Sequence, residues 1–205
     1  MILRQVGKFW KVDNFVPGNL PEFGIKETDK VLDVGGGHCA FIRANVILDK
    51  FPETEYDDSQ RAKGAMNIPD GARFIKGDAA DMSCFKDKEF DFVVCAETIN
   101  HCEDPIAVCK ELIRVGKRGY VEMPGPLYEI FSSHQEHLWL SFWDGVTLKF
   151  LKNNYPKNCV MDISGIDRRV IEAAYHKMLA CKDQEATFID FIWEDSFQFE
   201  VINEK

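Results

Sequence analysis

Hydrophobic positions in this chain fall into short blocks, not long stripes. Val31, Leu32 and Val34 surround a single carboxylate, Asp33, and stop at Gly35-Gly36-Gly37, as a buried strand does where its backbone turns sharply. Val46-Ile47-Leu48 runs into Asp49 just before Pro52, and residues 72–79 form a third short strand that ends in Gly77-Asp78-Ala79. A fourth strand, Phe90 to Glu97, is rich in aromatic and β-branched residues. Only a handful of residues separate the glycine loop from the second strand, whereas a helical crossover takes about a dozen or more. The connecting helix is therefore short or missing. Residues 104–116 carry the clearest helix signals: Asp104 as cap, Pro105 in the first turn, Arg114 near the end and Gly116 to close it in a left-handed conformation. A fifth strand over 117–123 stops at Pro124-Gly125-Pro126.

The flanks are less regular. Residues 1–29 show no sustained periodicity and read as an irregular arm with at most a short helix around 6–15. Residues 53–71 are polar, with one helical piece expected near 58–65. Residues 136–151 centre on Trp143-Asp144-Gly145-Val146, a hairpin signal, and would form an insertion placed to roof the site. A helix capped by Asp167 is expected over 167–182, followed by an antiparallel hairpin over 187–202 that turns at Glu194-Asp195 and finishes the sheet. Strands interleaved with helical or polar crossovers predict an α/β fold with an open, mostly parallel sheet and right-handed connections. The expected organisation is a single domain over 1–205: an arm (1–29), a binding core (30–124), a cap insertion (125–166), and the last helix with the terminal hairpin (167–205). Ligands of such sheets lie beyond the carboxyl ends of the strands. Asp33, Asp49, Asp78 and Glu97 all fall there.

Composition narrows the function. With 205 residues, 45% of them hydrophobic and sixteen Phe, the chain can bury about 70% of the surface it exposes when unfolded, without staples. A net charge of −9, spread along the chain, opposes non-specific binding to nucleic acid or anionic membrane. The seven cysteines are odd in number and none has Cys-x-x-Cys spacing, the pattern of reduced thiols in a cytosolic protein and not of a metal site. No run approaches about 18 apolar residues, and the N-terminus lacks a signal-peptide stretch. The expectation is a cytoplasmic protein with no metal and no membrane insertion; oligomeric state is not readable.

Acids gathered on one rim suit a ligand with several hydroxyls or amines, as a nucleoside has. Val31-Leu-Asp33-Val-Gly35-Gly-Gly37, the strand-terminal Asp49, Gly77-Asp78-Ala79, Phe90-Asp-Phe-Val-Val with Ala96 and Glu97, and Asp104-Pro105 together resemble the class I S-adenosylmethionine-dependent methyltransferases over roughly residues 31–124. The loop Gly-Gly-Gly-His-Cys and the abbreviated connection are similar to a subgroup of small, type 11-like members, although Cys39 stands where a third family glycine is usual. The resemblance implies a Rossmann-like, seven-stranded sheet. It also implies that Gly35, Gly36 and Gly37 approach the amino acid part of S-adenosylmethionine, with Asp33 supporting the loop. Asp49 would accept from the ribose and Asp78 from the adenine amine, with Ala79 beside the ring; Ala96 and Glu97 would lie near the methyl donor. The product would be S-adenosyl-L-homocysteine.

Two rivals differ in class. Gly35-x-Gly37-x-x-Ala40 fits a dinucleotide fingerprint for NAD. That fingerprint opens a helix and expects an acid about 20 residues on, whereas Asp49 lies 14 beyond Gly35. A methyltransferase-like module that binds cofactor or a partner protein without turnover is the second. For an enzyme, direct methyl transfer draws mainly on proximity and orientation. A protonated oxygen or nitrogen acceptor still needs a base, for which histidine is matched to neutral pH. His137 is the first candidate, with His101 and His134 behind it. The insertion is aromatic at Tyr128, Phe131, Trp139, Phe142 and Trp143. Ala96-Glu-Thr-Ile99 stands where an Asn-Pro-Pro-Tyr-like signature would mark a methyltransferase acting on nucleobases or amides. A small-molecule acceptor, including a sugar, lipid or aromatic compound, is the expected partner.

Overall fold

The computed structural model describes residues 3–6, 9–12, 23–37, 40–51, 68–126, 128–129, 136–154 and 188–202. Its centre is a six-stranded sheet. Strands β3 (Val31–Val34), β4 (Val46–Asp49), β5 (Arg73–Lys76), β6 (Phe92–Ala96), β7 (Arg118–Pro124) and β10 (Phe188–Glu194) lie in the order β10-β7-β6-β3-β4-β5. All neighbours are parallel except β10, which runs antiparallel to β7. The chain steps outward from β3 to β4 and β5, then returns to the other side of β3 for β6. That reversal is a topological switch point, and the crevice beyond the carboxyl ends of β3 and β6 is where such a sheet binds its ligand.

Alternation along the strands divides the core between the two faces. Leu32, Val34, Val46, Leu48, Val93 and Cys95 pack with Val108, Cys109, Leu112 and Val115 of helix α1 (Pro105–Val115). Val31, Ile47, Phe92, Val94 and Tyr120 face the other way, against Phe23, Ile25, Ala40, Phe41 and Ala44. Among the described residues between the glycine loop and β4 there is no helix: residues 40–45 make a turn, with Ala44 N–H donating to Phe41 O at 2.8 Å. Phe41, fully buried, covers the face that a crossover helix would cover. The abbreviated connection read from the spacing is thus what the chain forms.

Helix α1 begins as its sequence dictates, with the Asp104 carboxylate accepting from Ala107 N–H at 2.9 Å. Its end differs from expectation. Gly116 is extended (φ −102°, ψ 146°), not left-handed, because it bridges to Phe90 in parallel fashion. A Cβ there would stand 2.6 Å from Val93 Cγ2, so close packing and not a positive φ requires the glycine. Lys88 Nζ donates to the Ile113 and Gly116 carbonyls at 2.9 Å each and so closes the helix.

Two further expectations need correction. The described residues at the start of the N-terminal arm are strand, not helix: β1 (Leu3–Val6) and β2 (Phe9–Val12) pair antiparallel. Gly7-Lys8 in the sequence between them is a two-residue Gly-x hairpin signal that periodicity alone does not register. The insertion does form its hairpin, β8 (Trp139–Trp143) with β9 (Thr147–Lys152), around Gly145 at φ +88°. The terminal strand β11 (Gln198–Ile202), however, leaves β10 after a tight reversal at Glu194–Ser196 and pairs parallel with β9. The second sheet is therefore β11-β9-β8, and the mostly parallel central sheet has six strands among the described residues, with β10 antiparallel at its edge and β11 outside it. Aromatic packing accompanies the switch: Trp143 stacks on Phe191 at 4.2 Å, and Phe197 packs on Phe191, Trp193 and Phe199. The helices expected over 58–65 and 167–182 lie outside the described residues. Among those described, no helix is long and apolar enough to cross a membrane.

Candidate functional site

The glycine loop leaves β3 at the switch point. Gly35 and Gly37 take φ of +73° and +51°, which glycine adopts without steric cost. A Cβ on Gly35 would stand 2.1 Å from Thr98 Oγ1, and one on Gly36 would stand 2.3 Å from Asp33 Oδ2. The two glycines are thus demanded by the loop's own contact with β3 and with the end of β6. Both remain partly exposed, so the loop keeps an open side.

Two buried acids hold that loop. Asp33 Oδ2 accepts from Phe41 N–H at 2.7 Å, tying the loop's exit to β3. Asp49 accepts from Gly37 N–H and from Phe51 N–H, each at 3.0 Å. They sit on the same face of adjacent strands, with 3% and 5% of their surface exposed. Burial pushes the Asp33 carboxyl up to about 7, opposed by the Phe41 N–H and reinforced by the neighbouring Asp49 charge. Asp78 lies at the next strand end, accepting from Ala80 N–H at 2.9 Å and pairing with Lys50 at 3.2 Å, beside the buried Ala79.

At the end of β6, Ala96 is half-buried and Glu97 exposed. Glu97 has φ +54°, an uncommon conformation for a residue with a Cβ, and its N–H donates to Glu122 O at 2.9 Å. Such strain concentrates at functional sites. Thr98 Oγ1 then donates to Val34 O at 3.2 Å and Ala96 O at 2.9 Å, joining β6 to the root of the glycine loop.

The 3-10 turn Ile99–His101 follows and meets the second sheet. Leu138 N–H donates to Asn100 O, and Trp139 Nε1 to Cys102 O, both at 2.8 Å. This contact sets the rings of His101 and His137 edge to face, with centroids 4.6 Å apart. Behind them, His137 Nδ1 lies 2.5 Å from Glu129 Oε1. His137 and Glu129 are buried, 7% and 5% exposed, while His101 is exposed. Two candidates far apart in sequence are thereby brought together, and Glu129, which sequence reasoning missed, completes the row. Its one trace is Gly125-Pro126, a helix start: Glu129 N–H donates to Gly125 O at 3.2 Å. His134 lies outside the described residues.

Burial works against thiolate chemistry at Cys95, Cys102 and Cys109. Cys95 and Cys109 are buried and their thiols are pushed up by burial; that of Cys102 rises to about 12. Among the described residues, no three His, Cys, Asp or Glu side chains are placed to hold a metal ion together.

Residues 32–121 match the family described as "Methyltransferase domain". A curated relative, sterol 24-C-methyltransferase of Aspergillus fumigatus, is 36% identical over 107 residues, 49% of this chain. The match spans only 28% of that relative's length. Among solved structures, a SAM-dependent methyltransferase from Aquifex aeolicus is 21% identical, with 52% of this chain and 62% of that one covered and a TM-score of 0.38. An arsenic(III) S-adenosylmethionine methyltransferase from Chlamydomonas reinhardtii is 22% identical, with 57% and 44% covered and a TM-score of 0.36.

Proposed function

We propose that the chain is a class I, S-adenosylmethionine-dependent methyltransferase and that it methylates an oxygen or nitrogen of a small-molecule acceptor, a reading supported by the match of residues 32–121 to a methyltransferase domain. The observation that carries this reading is the Glu129–His137–His101 row beside the carboxyl end of β6.

The partly exposed Gly35-Gly36 backbone would offer a close approach for the amino acid part of the cofactor, Asp78 an acceptor for the adenine amine with Ala79 alongside, and Ala96 and Glu97 the ground nearest the reacting methyl. Asp49, 5% exposed and with its oxygens on the Gly37 and Phe51 N–H groups, would reach the ribose hydroxyls through its remaining lone pairs. S-adenosylmethionine supplies, when bound, an electrophilic methyl group on its sulfonium. The chain's own part is to orient the acceptor and receive its proton. His137 turns Nδ1 to the Glu129 carboxyl, which places Nε2 on the side of the ring away from Glu129. His101, exposed and packed on His137, is the ring that meets an acceptor hydroxyl or amine. His137 and Glu129 orient it from behind.

The test is a split between turnover and binding. In an acceptor screen with S-adenosylmethionine, His101→Ala and His137→Ala each lower turnover by about 100-fold or more, while affinity for S-adenosylhomocysteine stays within about twofold, below the loss of one hydrogen bond. A fully active His137→Ala removes it from the reaction. Intact cofactor binding with no turnover on any acceptor favours the non-catalytic module.

A further inference from the structure

Buried polar groups in folded proteins are almost always hydrogen-bonded, and a cluster of exceptions calls for an explanation. Among the described residues, six buried side-chain atoms have no hydrogen-bond partner, and four of them belong to Asn100, Glu129 and Asn153. All three residues adjoin the two histidines. Asn100 precedes His101, is 1% exposed, and has both Oδ1 and Nδ2 unpartnered. Its main chain is clamped by Leu138 N–H, next to His137. Glu129 gives Oε1 to His137 and leaves Oε2 without a partner. Asn153 Nδ2 donates to His137 O at 3.1 Å, leaving its Oδ1 unpartnered. Scattered orphans would be packing defects; gathered around one histidine pair, and with almost no accessible surface, they are polar positions that an entering ligand would have to uncover and then satisfy.

We propose that Asn100, together with Oε2 of Glu129, recognises the methyl acceptor, and that this acceptor is a polar small molecule carrying a hydroxyl or amine next to the one that is methylated. The inference rests on the acceptor-methylating reading above and gives it a substrate class. The inventory sets the complementarity: Asn100 Nδ2 requires an acceptor atom, while Asn100 Oδ1 and Glu129 Oε2 each require a donor. A vicinal diol or an amino alcohol supplies both kinds from adjacent atoms. A hydrocarbon acceptor would leave every one of these groups unpaired, and sites built on buried hydrogen-bonding groups discriminate steeply against ligands that lack the partner.

The experiment uses the full chain and Asn100→Leu, which keeps the side chain's shape and removes its polarity. Vicinal diols, amino alcohols and hydrocarbons of equal heavy-atom number are titrated by ligand-observed NMR, with and without S-adenosylhomocysteine. The expected result is binding by the polar compounds alone, weakened about tenfold or more in Asn100→Leu, which loses at least two hydrogen bonds. The variant also gains stability, with Tm rising by about 2–4 °C, because an unpaired buried amide has been replaced by an apolar group. Three results overturn the proposal: binding confined to the hydrocarbons, polar binding indifferent to Asn100→Leu, or no binding of either class. A fall in Tm instead of a rise makes Asn100 structural and overturns it as well; Asn100→Asp, which keeps the acceptor oxygens, then shows whether polarity alone holds the fold. Failure of S-adenosylhomocysteine to bind refutes the methyltransferase reading separately, and the arm without it still decides Asn100.

Discussion

Asp33 holds the glycine loop at a cost in stability that pH exposes. Its carboxyl is buried and ionises at about 7 in the folded chain, against an ordinary 3.8. The folded state therefore binds this proton more tightly than the unfolded chain does. The favourable contribution is whole below about pH 4, declines as pH rises, and is gone above about pH 7. A displacement of about three units is worth about 4 kcal/mol at 1.36 kcal/mol per unit. Asp33→Asn keeps an oxygen for the Phe41 N–H but cannot ionise. The displacement to about 7 already contains the preference of the Phe41 hydrogen bond for the charged form, so at pH 8 the variant should be more stable than the parent by about 3–4 kcal/mol. Near pH 3.5 the gain should vanish or reverse. Urea denaturation of both proteins from pH 3.5 to 8.5 measures the difference directly. A gap that does not change with pH, or a variant less stable at pH 8, would refute the reasoning.

Gly35→Ala sets a Cβ against Thr98 Oγ1 on a residue at φ +73° and should cost about 2–4 kcal/mol in denaturation, with loss of S-adenosylhomocysteine affinity. Gly71→Ala is its control: φ is +79° but nothing lies within 4 Å, so about 1–2 kcal/mol is expected with binding unchanged. Asp104→Ala removes the α1 cap and should cost about 1 kcal/mol; no change would mean that Pro105 and core packing alone fix the helix start.

The core of the fold was legible because its strands are short, apolar and stopped by acids. Asp49 and Asp78 mark strand ends in both sequence and structure, where the sheet gives way to a loop, and Asp33 lies one residue before β3 stops, buried and held by the Phe41 N–H. The α1 cap and the Trp143–Val146 hairpin follow from local chemistry and were equally readable. What escaped depends on tertiary partners. Strand β11 looks like the return limb of a hairpin with β10, and nothing local says that it will pair with β9. Gly116 has the sequence of a left-handed cap, yet its conformation is set by Phe90 and Val93 beside it. Glu129 lies eight residues before His137 with no periodic relation to it, and the orphaned groups of Asn100 exist only once the turn Ile99–His101 meets the second sheet.

The most direct test of the account is calorimetric titration of the purified chain with S-adenosylmethionine, S-adenosylhomocysteine and NAD in parallel. Binding of the first two, weakened about 10- to 100-fold by Asp49→Ala and with no heat from NAD, is the predicted result. Binding of NAD alone, or silence from all three, would contradict it.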